Sequence, residues 1–136
     1  MRSVSRPAGS VSGALLAVGG ALPDLCCVIA FIMIGRASHT EGETLAGLAR
    51  TAWPFLSGLT VGWLVTRAWQ RPAALFPVGV GGWLATVVVG MLLRAASGQG
   101  TAFAFMLVAL VFLGLFMIGW RVLARWAAST RARRSA

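Results

Sequence analysis

The 136-residue sequence contains no lysine; all twelve of its basic side chains are arginine. It has three acidic residues, Asp24, Glu41 and Glu43, and a single histidine, His39. Charged residues make up 11% of the chain, where an ordinary soluble domain carries roughly a quarter. A water-soluble fold of this size could bury a core. It could not hide this many apolar residues without leaving large exposed patches, so a soluble globular class is excluded. The shortage of ligand-type side chains excludes a metal site as well. The two cysteines, Cys26 and Cys27, are adjacent and leave a helix in different directions, no CxxC is present, and His39 is far from both. They read as small apolar filler. There is no Ser-His-Asp set at matched depth, no HExxH, no Walker motif and no GxSxG. No complete catalytic set and no cofactor are expected.

What the chain has in abundance is apolar sequence, at 58% of residues. A helix needs roughly 20 apolar residues to cross the hydrocarbon core of a bilayer. Four runs approach that length, at 14–35, 51–67, 76–94 and 101–123. They are continuous rather than alternating, which excludes membrane-spanning strands. The expected fold is all-α, an integral membrane four-helix bundle. Residues 1–13 read as a disordered lead, 14–127 as the transmembrane domain, and 128–136 as a frayed basic tail able to touch anionic lipid. The second run is short, so its flanking arginines, Arg50 and Arg67, would have to snorkel. Arg2 and Arg6 ahead of the first run also resemble the start of a signal peptide. Cleavage near Ala21 would leave too short an apolar remnant to cross, so an intact first span is preferred.

The arginines sit at the ends of the apolar runs rather than along one stripe, which fits membrane topology and argues against nucleic acid as a partner. With the N-terminus inside, nine arginines fall on the cytoplasmic side, including Arg67, Arg71, Arg121 and Arg125. Three fall outside: Arg36, Arg50 and Arg94. This bias predicts that both termini are cytoplasmic, in a multi-pass protein of a bacterial inner membrane.

Lipid supplies no hydrophobic drive between helices, so close backbone approach matters. Gly58 and Gly62 are four apart on one face of the second run, and Gly90 and Gly119 lie in the third and fourth; all four are expected at helix contacts. Trp63, Trp83 and Trp120 each follow a glycine near an inner span end, and read as interfacial anchors. The pairs Gly62-Trp63 and Gly119-Trp120, with the echo of Gly35-Arg36 in Leu93-Arg94, hint at two similar hairpins.

Two polar groups stand out as candidate sites. Asp24 is the only acidic residue in any run; at the centre of a spanning helix it would cost ~2.5–3.5 kcal/mol. Either it is an intramembrane polar site, with Arg121 or Arg67 as its partner, or the span starts near Pro23 and Asp24 is an N-cap. The second group is Arg36, Ser38, His39, Arg50 and Arg94, all at one membrane face, where several guanidiniums could hold a lipid headgroup or another anion. Glu41 and Glu43 could neutralise part of that charge.

Several pieces of the chain carry a family likeness: Pro23-Asp24-Leu25, Gly35-Arg36-Ala37-Ser38-His39, Thr51-Ala52-Trp53-Pro54-Phe55, Gly58 with Gly62-Trp63, Gly90 through Arg94, and Gly119-Trp120-Arg121. Over about residues 22–123 the chain resembles a family of small actinobacterial membrane proteins defined by a domain of unknown function. The resemblance implies a four-helix membrane protein and no particular activity.

Three functional readings remain open at this point. One is a non-enzymatic membrane protein associating with lipid, other membrane proteins or copies of itself. The alternatives are a small-solute or proton-coupled transporter using Asp24, and a membrane enzyme acting on lipid phosphate at the outer arginines.

Overall fold

The computed structural model describes residues 9–37 and 44–136. Its elements are four helices: α1 (Gly9–Ala37), α2 (Leu45–Thr66), α3 (Val80–Ala96) and α4 (Phe103–Arg134). A wide helical turn at Leu75–Gly79 leads into α3. Three stretches, Val11–Ala37, Leu75–Ala96 and Phe103–Arg134, are long and apolar enough to cross a membrane. α2 is not among the three. It carries Arg50, and its glycine, serine and threonine lower its mean hydropathy, but its 22 residues span about 33 Å at 1.5 Å per residue.

The helices run alternately up and down and close into a ring. The backbones of α1 and α2, α1 and α4, α2 and α3, and α3 and α4 approach closely, while among the described residues the diagonal pairs meet only through side chains in the centre, as Phe55 and Phe105 do. α1 and α4 are apolar around nearly their whole circumference. Large apolar side chains therefore point outward: Leu15, Leu16, Leu107, Val111 and Leu115 are all more than half exposed. In water such a surface would aggregate; against lipid tails it carries no penalty.

Inside the ring, Val28, Phe31 and Ile32 of α1 meet Phe55 of α2, Met91 of α3 and Leu113 of α4. Phe31 lies edge-on to Phe55, with centroids 5.3 Å apart, and 5.7 Å from both Phe105 and Phe112. Such aromatic pairs add to simple burial through their quadrupoles.

α2 and α3 form the tightest pair, and glycine is the reason. A Cβ at Gly58 would lie 2.8 Å from the Thr86 carbonyl oxygen, and one at Gly62 would lie 3.0 Å from the Gly82 Cα. Gly90 gives way to the Phe55 ring, which would stand 2.7 Å from a Cβ there. Gly119 does not fit the expected pattern: nothing lies within 4 Å of where its Cβ would be. A side chain there would meet open space. A glycine that does pack in α4 is Gly114, where a Cβ would stand 2.8 Å from the Trp83 indole.

Element boundaries differ from the sequence reading in three places. α1 is already helical at Gly9, inside the stretch read as a lead; residues 1–8 lie outside the described residues. α2 begins at Leu45 rather than 51, because Thr44 caps it by accepting the Gly47 N–H at 3.1 Å. Pro54 is consequently interior to α2 rather than in its first turn, and the Arg50 carbonyl loses its usual helical donor. The residues read as a frayed tail continue α4 as far as Arg134. No glycine or proline interrupts the chain after Gly119, and alanine and arginine are good helix formers. Past the α2–α3 connection, residues 11–19 of α1 and 122–134 of α4 are mostly exposed.

A saturated ion pair inside the bundle and an arginine-lined end

Asp24 sits near the middle of α1, which is unbroken from Gly9 to Ala37 with Pro23 inside it. It is therefore no N-cap. Both Asp24 and Arg121 are fully buried, at 0% exposure. The Arg121 guanidinium meets the carboxylate as a two-pronged fork: Nη1 donates to Oδ1 and Nη2 to Oδ2, each at 2.7 Å. Two indoles complete the arrangement. Trp63 Nε1 donates to Oδ2 and Trp120 Nε1 to Oδ1, both at 2.9 Å. Each carboxylate oxygen thus accepts two hydrogen bonds, which fills the roughly four acceptor positions of a carboxylate.

Arg121 is equally well held. Its Nε donates to the Pro72 carbonyl at 2.9 Å and Nη1 also to the Met117 carbonyl at 2.7 Å. The guanidinium lies 4.5 Å from the centroid of the Trp120 ring, close enough for a cation–π contribution. A side chain at position 79 would collide with Arg121, whose Cδ would be 2.9 Å from a Cβ there. Gly20 of α1 packs directly on Pro72. The clasp therefore joins α1, α2, α4 and the α2–α3 connection at one level. Arg67, the other possible partner, instead ends α2 in the left-handed region at φ 50°.

The tryptophans are the residues missed by the sequence reading. Trp63 and Trp120 are donors to the buried carboxylate, and Trp83 donates to the Leu110 carbonyl at 2.9 Å. The repeated Gly-Trp pair was the available signal, since two indoles placed alike on α2 and α4 converge on one acid.

At the opposite end, Arg36 closes α1 and Arg94 closes α3, while Arg50 is exposed on the second turn of α2. Arg36 Nη1 donates to Thr51 Oγ1 at 3.4 Å. Arg94 is pinned by Gln99: Nη1 donates to its Oε1 at 3.1 Å and Nη2 to its carbonyl at 3.2 Å. The structure brings these three arginines around shared cavities. Ser38, His39, Glu41 and Glu43 lie outside the described residues. Cys26 is exposed on α1 and Cys27 is half-buried.

Neither the curated proteins nor the solved structures contain a match to this chain. The family model of DUF3054, described as a protein of unknown function, matches residues 21–124. That span holds Asp24, Arg121 and all three end arginines, and it covers most of the sequence: the chain belongs to the DUF3054 family.

Proposed function

We propose that the protein is a non-enzymatic four-span protein of the cell membrane that associates with lipid or with other membrane proteins. The observation that carries this reading is the saturation of Asp24. A carboxylate that takes up and releases protons or cations during transport needs access to water and an acceptor position to spare. Asp24 is at 0% exposure with four N–H groups on its two oxygens. That arrangement supports a structural clasp over a transporter's coupling site. A catalytic reading draws no support from the clasp either, since an acid bound by four donors offers no base.

The test is reconstitution. Proteoliposomes of the wild-type protein, loaded with a pH-sensitive dye, should relax a proton gradient no faster than empty liposomes. An increased flux abolished by Asp24→Asn in a variant that still folds would overturn the reading. Native mass spectrometry of the detergent-purified protein should at the same time find retained lipid or a partner chain.

The same proposal places both termini in the cytoplasm, on the strength of the nine-to-three arginine bias. With Cys26 and Cys27 replaced by Ala, Glu43→Cys should react with an impermeant thiol reagent from outside. Gln70→Cys and Ser135→Cys should react only after the membrane is opened. Labelling of position 135 in intact cells would reverse the assignment.

A further inference from the structure

The arginine-lined end carries a polar construction that the clasp does not explain. Arg36, Thr51, Arg94 and Gln99 border a cavity of about 280 Å³ whose floor is formed by Phe31, Ile32 and Phe105. The same four side chains border an adjoining space of about 420 Å³ that opens past Arg50 and Thr44. Arg36 and Arg94 line both spaces, and Arg50 lines the second.

Arg94 is built into this wall. Its guanidinium lies 4.5 Å from the centroid of the Phe105 ring, and its terminal nitrogens are held by Gln99 and by the Gly100 carbonyl at 3.3 Å. Its Nε is buried with no hydrogen-bond partner among the described residues. A buried, unmatched N–H on a fixed cation calls for an acceptor. A third hollow, of about 210 Å³, leaves Arg36 and Thr44 between α1 and α2 and follows Met33, Leu45 and Leu48 along the outer, apolar surface.

We infer that the end cavity is a phosphate site occupied by the headgroup of an anionic phospholipid, with one acyl chain lying along Met33, Leu45 and Leu48. The inference rests on the proposed lipid association and names its ligand class. Guanidinium groups are well matched to phosphate oxygens, and a tetrahedral phosphate presents its oxygens out of the single plane of a carboxylate, which suits arginines converging from different helices. The apolar hollow is what selects a lipid over a free ion. It shares Arg36 and Thr44 with the arginine-lined space, so headgroup and chain would lie side by side.

The test uses the purified full-length protein in an uncharged detergent, with lipid retention read by native mass spectrometry and a titration. Phosphatidylglycerol should bind at least about tenfold more tightly than a long-chain fatty acid, which has charge but no phosphate. Arg94→Gln should weaken phosphatidylglycerol binding by about tenfold or more, and Arg50→Gln, at the open mouth, by a smaller factor. Arg125→Gln, on α4 beyond the clasp, should leave binding unchanged. Melting curves by circular dichroism identify a variant that has lost its fold; for such a variant Arg94→Lys, which keeps the charge and removes the Nε–H, takes its place and should still weaken binding.

Equal binding of phosphatidylglycerol and fatty acid, or equal binding by wild type, Arg94→Gln and Arg50→Gln, would overturn the phosphate site. Inorganic phosphate that binds in an arginine-dependent way while the lipid does not would overturn the lipid and leave a soluble anion in its place. Neither result touches the flux measurement, so a failure here is separable from a failure of the proposed function.

Discussion

Asp24→Asn or Arg121→Met alone should each destabilise the detergent-solubilised bundle by about 3–5 kcal/mol, the range for breaking one side of a buried ion pair. The size follows from what is left behind. With Asn at position 24, a guanidinium at 0% exposure loses its counter-charge and one of its two 2.7 Å acceptors, which becomes an amide NH2 donor, and keeps the Pro72 and Met117 carbonyls. Without Arg121, a buried carboxylate keeps two indole N–H groups and no counter-charge. Replacing both, as Asp24→Leu with Arg121→Met, should recover much of the loss, because no uncompensated charge remains. Recovery should be incomplete, since Trp63 and Trp120 would each retain a buried N–H at about 1–3 kcal/mol apiece. Adding Trp63→Phe and Trp120→Phe should remove that residue. Unfolding by denaturing detergent, followed by circular dichroism, measures the series. A double variant no more stable than the two singles would show that the four side chains do not act as one unit.

Gly58→Leu combined with Gly62→Leu should cost about 3 kcal/mol or more, as overpacking of a filled contact does. The atoms in the way are mostly backbone: the Thr86 and Ala85 carbonyl oxygens stand 2.8 and 2.9 Å from a Cβ at position 58, and the Gly82 Cα 3.0 Å from one at position 62. Backbone in a helix cannot rotate aside as a side chain can, so α2 and α3 would have to separate. Position 58 should be the less tolerant of the two, and Gly58→Ala alone should already lower the melting temperature. Gly119→Ala is the internal control. Its Cβ meets nothing within 4 Å, so the change should be neutral, or stabilising by ~0.5–1 kcal/mol through reduced unfolded-state entropy. A melting temperature for the Gly58/Gly62 variant equal to that of wild type would remove the α2–α3 contact from the account.

The two positions show why the same residue type carries different weight. Gly58 and Gly119 both lie in apolar helices and look alike in the sequence. Their difference is which neighbour the rotation of the helix presents to them, and a near-uniform apolar surface does not encode rotation. In a soluble helix a polar stripe would mark the outer face; in α4, Leu107, Val111 and Leu115 are as apolar outward as Leu113 and Met117 are inward.

The four helices, their class and most of their extents were determined by the sequence alone. Apolar runs of this length leave no alternative to buried or lipid-covered helices, because an unpaired backbone in such a setting costs too much. The isolation of Asp24 likewise followed from composition, since one acid in an apolar run must find a partner or take up a proton. Estimated depth put Arg121 ahead of Arg67 as that partner, and the tertiary structure made the pairing definite: the turn at Arg67 carries it away while α4 aims Arg121 inward past Gly79 and Pro72. Only the tertiary structure decided the two indoles on the carboxylate, the early start of α2 at Thr44, and the gathering of Arg36, Arg50 and Arg94 around two adjoining spaces. Each depends on how far one helix is rotated and shifted against another. Those two variables are set by packing between segments tens of residues apart, and no local pattern in the chain records them.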